Sequence, residues 1–366
     1  MEEWSTLRKN MSSHLKRFIA FLALLVMSLS PFVCPAIAED SGLTVYFLDV
    51  GQADAAVIVC DDEVLMIDGG NVADSSFVYS YLTNTLGLEH IDYMIGTHAH
   101  EDHIGGLSAA LNACSVGTVY SSVTDYDSDA FRDFRRYAED RGAALTVPDV
   151  GDTFDVGDAE VEFLAPVYDY DNVNDQSIVV RIEYGDTSFL FTGDAEWDSE
   201  HDMIDVGVDL SADVLKVGHH GSDTSSSYVF LREVMPRYAV ISVGEGNSYG
   251  HPAEETLSRL SDVGAEIYRT DLHGTIICRS DGQNITFQTE KSSSGSDRMS
   301  GFVSRPGDGD SVSGAGAPYI GNANSYKFHY ASCSSVDQMK ESNKVEFYSR
   351  DEAINAGYDP CKRCNP

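Results

Sequence analysis

His98-Ala99-His100-Glu101-Asp102-His103 places four metal-binding side chains within six residues. Imidazoles and carboxylates without cysteine suit zinc or manganese alike. A helix cannot aim all four at one point, so the run is expected to be a loop wrapped around metal. In an extended segment, residues two apart point the same way. His98 and His100 can therefore grip one cation while Asp102 and His103 turn toward a second. Two cations a few ångströms apart can share a hydroxide nucleophile, and the chemistry to expect is hydrolysis.

Further candidates lie downstream. Asp194, in Phe191-Thr192-Gly193-Asp194, ends an apolar strand, and its one carboxylate can bridge both cations and offset their repulsion. His219-His220-Gly221-Ser222 follows the buried strand Asp213 to Val217. Successive residues of an extended segment face opposite sides, so one imidazole is expected to bind metal and the other to point away, with His219 preferred. His251, before a proline that opens a helix, is the candidate acid for the leaving group or contact for a substrate oxygen. Lys216 is one of 11 basic residues between Glu39 and Thr289 and offers a local positive spot for phosphate, or else is a surface strand residue.

The elements that position these groups follow from hydrophobic period. Leu43 to Asp49, Ala55 to Val59 and Glu63 to Ile67 read as a β-meander turned at Gly51 and Asp61-Asp62. Ile91 to Gly96 reads as a buried strand that delivers His98 at its end, where open sheets place their chemistry. Helices are expected near Phe77 to Leu86, from Gly106, and over Ala130 to Arg141, where Phe131, Phe134 and Tyr137 share one face. A second β-rich half has strands at Val161 to Leu164, Ile178 to Tyr184, Ser188 to Thr192, Val214 to Val217, Tyr238 to Val243, Glu266 to Arg269, Thr275 to Arg279 and Asn284 to Gln288. Gly185-Asp186 turns one hairpin. Helices near Glu196 to Ile204, Thr224 to Met235 and Pro252 to Val263 alternate with these strands. Two sheet-rich halves with helices outside make an α/β, four-layer αββα sandwich.

The 366 residues leave room for one large domain and something small. Met1 to Ala38 reads as an export signal: Arg8, Lys9, Lys16 and Arg17 precede the apolar run Phe18 to Met27, and Ala36-Ile37-Ala38 offers a cleavage site. The apolar run is short for a membrane span, and a secreted protein with no stable span after signal cleavage is expected. The alternative is anchorage outside the membrane by an uncleaved signal. Glu39 to Thr289 carries 47 acidic residues against 11 basic ones. Such a polyanion repels phosphate backbones, which excludes broad electrostatic binding of nucleic acid and leaves any such affinity to the metals and a local basic spot. Cys60, Cys114 and Cys278 are scattered through apolar stretches and read as buried small hydrophobes.

The HxHxDH loop, Asp68-Gly69-Gly70, Gly193-Asp194 and the late histidine pair together resemble the metallo-β-lactamase-fold hydrolases. Leu48-Asp49-Val50-Gly51-Gln52-Ala53-Asp54, Lys216-Val217-Gly218-His219-His220-Gly221-Ser222 and Tyr249-Gly250-His251-Pro252 are similar to the hydrolase domain of the ComEC competence proteins, over Leu43 to Gln288. The resemblance implies His98 and His100 on a first metal, Asp102 and His103 on a second, Asp194 between them, and His219 or His220 completing the set. It also implies that Asp68 tethers the metal loop by hydrogen bonds and binds no metal. Many relatives carry one more histidine before the bridging aspartate, where this chain has Asn174-Asp175-Gln176-Ser177. The implied substrate is a phosphodiester, either nucleic acid or an envelope polymer.

Lys291 to Pro318 turns to Ser, Gly and Asp and reads as a flexible linker between a hydrolase domain over 39–290 and a tail over 319–366. The tail's 48 residues need a staple. His329, Cys333, Cys361 and Cys364 supply four ligands at a spacing that suits one structural zinc. Ser349-Arg350-x2-Ala353-Ile354-x2-Gly357-Tyr358-x-Pro360-Cys361-x2-Cys364 resembles the metal-binding module of the Ada repair proteins. That implies a zinc module contacting DNA or cell-wall polymer. His329 stands where that module has its methyl-accepting cysteine, so methyl transfer is not expected. Two classes of function follow: an exported metal-dependent hydrolase with a targeting tail, or a binding protein that keeps the fold as a scaffold.

Overall fold

The computed structural model describes residues 42–291 and 319–361, apart from 332, 337 and 349. The export signal expected over 1–38, all of the expected linker but Lys291, and Cys364 lie outside the described residues. No helix among the described residues is long and apolar enough to cross a membrane.

Strands run in chain order as β1 Leu43–Phe47, β2 Ala55–Cys60, β3 Glu63–Gly69, β4 His90–Gly96, β5 Ser115–Ser121, β6 Leu145–Thr146, β7 Thr153–Val156, β8 Ala159–Ala165, β9 Val179–Tyr184, β10 Thr187–Phe191, β11 Val214–Lys216, β12 Tyr238–Ile241, β13 Glu266–Arg269, β14 Ile276–Ser280 and β15 Ile285–Thr289. They form an eight-stranded sheet, ordered β15-β14-β1-β2-β3-β4-β5-β6, and a seven-stranded sheet, ordered β13-β12-β11-β10-β9-β8-β7.

Three apolar cores hold the layers together. Within β3, Leu65 and Ile67 face the second sheet, where they meet Phe163, Val180, Phe189 and Phe191. Val64 and Met66 face the other way, toward Leu82, Leu107, Leu111, Phe131 and Phe134 on the first helical layer. Period-two alternation thus serves two cores from one strand. On the outer face of the second sheet, Leu190, Leu215 and Ile241 pack against Met203, Phe230, Leu231 and Leu260 of helices Trp197–Val206, Tyr228–Val234 and Glu254–Asp262. This is the αββα sandwich expected from the sequence.

Parallel pairing puts the chemistry at one rim. β3 and β4 run parallel in the first sheet, as do β10, β11 and β12 in the second. Their C-terminal ends deliver Asp68, His98, Asp194 and His219-His220 to the same edge.

Several elements depart from expectation. His100 caps a short helix, Glu101–Ile104, so half of the metal motif is helical, and His98 and Ala99 form a bend before the extended His100. The turn is compatible with metal binding because it still brings donor atoms of His98 and His103 within 4.8 Å of each other and of Asp194. β5 has no clean apolar period: Gly117 sits in it because a β-carbon there would lie 2.3 Å from the Asp92 carbonyl oxygen. The helix after β3 starts at Ser75 and continues as a wider turn over Tyr81–Thr85. Cys60, Cys114 and Cys278 are buried, as expected.

The metal loop is pressed against β3 backbone to backbone. A β-carbon on Gly106 would lie 1.9 Å from the Gly69 carbonyl oxygen, and the Gly106 amide donates to the Gly70 carbonyl at 2.9 Å. Gly106→Ala is therefore expected to destabilise the fold by about 1–3 kcal/mol. An unchanged denaturation midpoint would refute this contact.

The tail forms a four-stranded sheet from β16 Tyr319–Asn322, β17 Lys327–Tyr330, β18 Lys344–Phe347 and β19 Asp359–Pro360. Its core of Phe328, Phe347, Ile354 and Tyr358 includes Tyr228 of the sandwich. Lys327 stands over the Trp197 ring at 4.4 Å, and Arg350 donates to the Tyr228 hydroxyl at 3.2 Å.

Candidate metal centre

Asp68 is the innermost anchor. One carboxylate oxygen accepts the Thr97 amide at 2.8 Å, and the other lies 2.8 Å from both the Thr97 hydroxyl and His103 Nδ1. A carboxylate only accepts, so His103 Nδ1 carries a proton, and in the neutral ring that binds metal the lone pair lies on Nε2. That Nε2 faces Asp194 Oδ1 at 3.1 Å. Both atoms are buried without a hydrogen-bond partner. With His103 neutral these are two acceptors face to face, which call for positive charge between or beside them, a proton in the metal-free centre or a divalent cation, and the donor set fits the cation.

The other groups converge on Asp194. His98 Nε2 lies 3.9 Å from Asp194 Oδ2 and 3.0 Å from His100 Nδ1. His220 Nε2 lies 3.3 Å from Asp102 Oδ2 and 3.7 Å from Asp194 Oδ2. The potential donor atoms of Asp102, His103 and His220 lie within 4.8 Å of one another, as do those of His98, His103 and Asp194. The opening is a cleft of about 350 Å³ lined by Gln52, His100, Asp102, Asn174, His219 and His251, among others.

Two expectations are corrected here. His219 and His220 do not face opposite sides: both have left-handed backbone, with φ of 48° and 53°, so both rings turn toward Asp194, His219 Nε2 also at 3.7 Å. The preference for one ring assumed an extended segment. Lys216 is neither a surface residue nor a phosphate contact. Its ammonium is buried, 2.6 Å from Asp54 Oδ2 and 2.9 Å from the Val217 carbonyl. Asp54 Oδ1 lies in turn 3.2 Å from His220 Nδ1, so Lys216 acts on the centre through Asp54.

Electrostatics in the metal-free centre follow from the crowding of carboxylates. Burial opposes protonation of His103 and His220, but Asp194 with Asp68, and Asp194 with Asp54, outweigh it. His103 is raised well above the ordinary histidine value and His220 to about 10. Burial lowers His98 instead, with the neighbouring His103 charge adding to it. Asp102 falls to about 2 against its burial, held down by His220 and His103. A metal must displace the His220 proton at any pH below about 10. Metal affinity is therefore expected to rise about tenfold per pH unit for each proton displaced across the neutral range. A pH-independent affinity between about pH 6 and pH 9, measured by calorimetric titration, would count against this linkage.

His251 reaches the cleft through a defined tautomer. The Gln52 side-chain oxygen accepts the Gly244 amide at 3.1 Å, which leaves its Nε2 to donate to His251 Nδ1 at 3.4 Å. Burial, then the His219 and His220 charges, lower His251 to about 4. It is neutral at physiological pH, with its proton on Nε2.

A family model for the metallo-beta-lactamase superfamily matches residues 48–245, more than half of the chain. The chain belongs to the metallo-beta-lactamase superfamily. This superfamily consists mostly of metal-dependent hydrolases, and its fold implies divalent metal at the His and Asp cluster described above. The chain is 30% identical over 275 residues to ComE operon protein 3 of Bacillus subtilis (strain 168), covering 70% of this chain and 35% of that protein. It is 31% identical over 256 residues to Competence protein ComA of Neisseria gonorrhoeae, covering 69% and 34%. The chain thus spans about a third of the length of these curated relatives. The crystal structure of the metallo-beta-lactamase fold protein YhfI from Bacillus subtilis aligns with a TM-score of 0.44 at 13% identity, over 65% of this chain and 100% of that one.

Within this metallo-beta-lactamase fold, two further carboxylates orient the histidine pair, a role that the motifs alone do not reveal. Asp54 and Glu196 each approach a histidine of the His219-His220 pair, Glu196 Oε1 at 3.0 Å from His219 Nδ1. Their signal in the sequence was weak, because acidic residues are common in this chain and only sheet register brings these two to the rim. In the tail, the potential donor atoms of His329, Cys333 and Cys361 lie within 4.8 Å of one another, and His329 Nδ1 is buried without a hydrogen-bond partner.

Proposed function

We propose that the chain is an exported, metal-dependent phosphodiesterase that acts on nucleic acid or an envelope polymer, with the tail as a zinc-stabilised targeting module. The observation that carries this reading is the clustering of His98, His100, Asp102, His103 and His220 about Asp194, with His100, Asp102, Asp194 and His220 lining one open cleft. His98 and His100 would hold one cation, Asp102, His103 and His220 the other, with Asp194 shared. When bound, the two cations supply Lewis acidity toward the scissile group and a nucleophile at neutral pH.

The chain's own side chains do the positioning. Asp68 fixes the ring of His103 through its Nδ1, and the Ser242 carbonyl, with the Asp54 charge beside it, fixes that of His220. His251 offers an N–H to a substrate oxygen and binds it as a hydrogen-bond donor, which favours the substrate contact over the proton-donor role. Lys216 is buried, so affinity for a phosphodiester falls to the metals, against an acidic surface. A relative named as a competence protein favours nucleic acid as the first natural substrate to try. The Met1 to Ala38 segment supports export. The tail's ligand cluster and its resemblance to the Ada module support one zinc on His329, Cys333, Cys361 and Cys364, and contact with DNA or wall polymer.

The test is hydrolysis of bis-p-nitrophenyl phosphate by the chain loaded with zinc or manganese, beside Asp102→Ala. Turnover that is abolished in the variant is the expected result. A folded protein that holds two metals and shows no turnover would reject the phosphodiesterase and favour a binding role on the same scaffold.

A further inference from the structure

We propose that His219 and His220 are both metal ligands, one for each cation, and that Glu196 is the positioning carboxylate for His219. The inference rests on the two-metal reading above and names the donor that the first cation would otherwise lack.

Three pairs in the centre share one geometry. Asp68 takes His103 Nδ1 at 2.8 Å, leaving Nε2 toward Asp194 at 3.1 Å. Asp54 lies 3.2 Å from His220 Nδ1, with the Ser242 carbonyl at 3.1 Å as a second acceptor, leaving Nε2 toward Asp102 at 3.3 Å. Glu196 Oε1 lies 3.0 Å from His219 Nδ1, with the Thr224 hydroxyl at 3.2 Å as a second partner, leaving Nε2 toward Asp194 at 3.7 Å. In each pair a carboxylate stands 2.8–3.2 Å from Nδ1, where it favours a proton on that nitrogen and leaves the Nε2 of the neutral ring facing inward, the arrangement of a metal-bound imidazole and its orienting partner.

Glu196 is itself clamped. Asn174 Nδ2 and the Thr224 hydroxyl both donate to Oε1 at 3.0 Å, and Asn172 Nδ2 donates to Oε2 at 3.1 Å. Such fixing is more than a solvated carboxylate needs. It fits a group whose task is to aim another. Asn174 belongs to the stretch where many relatives place their extra histidine, and Asn172 lies just before it, so this segment acts on the first cation indirectly, through Glu196 and His219.

Backbone strain points the same way. Left-handed conformation costs a non-glycine residue about 1–2 kcal/mol, and here two successive histidines adopt it. A single inward ring could be presented by an extended backbone at no such cost. The strained pair is what lets both rings face Asp194. The assignments then balance: His98, His100 and His219 with Asp194 on one side, and Asp102, His103 and His220 with Asp194 on the other.

The experiment is manganese and zinc titration of the full chain by calorimetry, with metal content after gel filtration, for wild type, His219→Asn, Glu196→Ala and Glu196→Gln. Asparagine tolerates the left-handed backbone, so His219→Asn removes the ring and keeps the turn. The expected result is two sites in wild type. One site should be lost in His219→Asn and one weakened about 10–100-fold in Glu196→Ala, with most of the affinity restored in Glu196→Gln, whose oxygen still accepts from Nδ1. Two wild-type affinities in both His219→Asn and Glu196→Ala would overturn the inference and leave the two-metal reading standing. Fewer than two sites in wild type would overturn both.

Discussion

Asp194→Asn is expected to lower kcat/KM for phosphodiester hydrolysis by about a thousand-fold or more, roughly 4 kcal/mol of transition-state stabilisation. Asp194 is buried and lies 3.1 Å from His103, 3.7 Å from both His219 and His220, and 3.9 Å from His98. Its carboxylate is held ionised against its burial by the charges of His103 and His220. Asparagine keeps the shape but removes the anion that the two proposed cations would share, and turns an amide toward donors that need a lone-pair partner. Metal content and rate should fall together. Activity within about tenfold of wild type, with both metals retained, would remove Asp194 from the centre of the mechanism.

Arg259→Met is expected to destabilise the chain by about 3–5 kcal/mol and to loosen the tail. Arg259 is 2% exposed, and its guanidinium donates to the Ser225 carbonyl at 2.9 Å, to the Thr256 hydroxyl at 3.0 Å and to the Asp223 carbonyl at 3.3 Å. Its Nη1 lies 3.4 Å from Asp359 in β19, also buried, which Lys327 reaches at 3.1 Å. Methionine fills the volume but leaves those carbonyls and half of the Asp359 charge without a partner. The measurement is denaturant unfolding with limited proteolysis between sandwich and tail. Arg259→Met combined with Asp359→Leu should recover part of the loss, because replacing both members of a buried pair costs less than removing one. A single variant as stable as wild type would show that the tail is held by its apolar core alone.

Much of the architecture was legible because it is written at short range. Alternation in Glu63 to Ile67 anticipates a strand between two cores, and Phe131 and Phe134 anticipate the helical face that covers one of them. The errors came where local pattern and tertiary demand part. β5 was missed because its one glycine is required by the carbonyl of a neighbouring strand, and that neighbour is not visible in the heptapeptide itself. The motif after β4 was expected to be a loop throughout, yet its second half winds into a helix capped by His100. Lys216 was read from its charge, whereas its position between two core strands obliges it to pair with Asp54.

By itself the sequence determined the type of chemistry, because the donors at His98 to His103, Asp194 and His219-His220 identify a metal centre wherever the chain carries them. It also determined the layers, since a period of two or of 3.6 residues decides which face of each element is apolar. Only the tertiary structure decided how each imidazole is aimed. Asp68, Asp54 and Glu196 reach their histidines across 35, 166 and 23 residues of chain, and their pairing depends on how parallel strands bring their ends to one rim. The direction of His219 depends on a backbone conformation that no residue preference would select. Side-chain identity is local information. The proton on Nδ1 and the lone pair on Nε2 are set by whichever acceptor the fold places behind the ring.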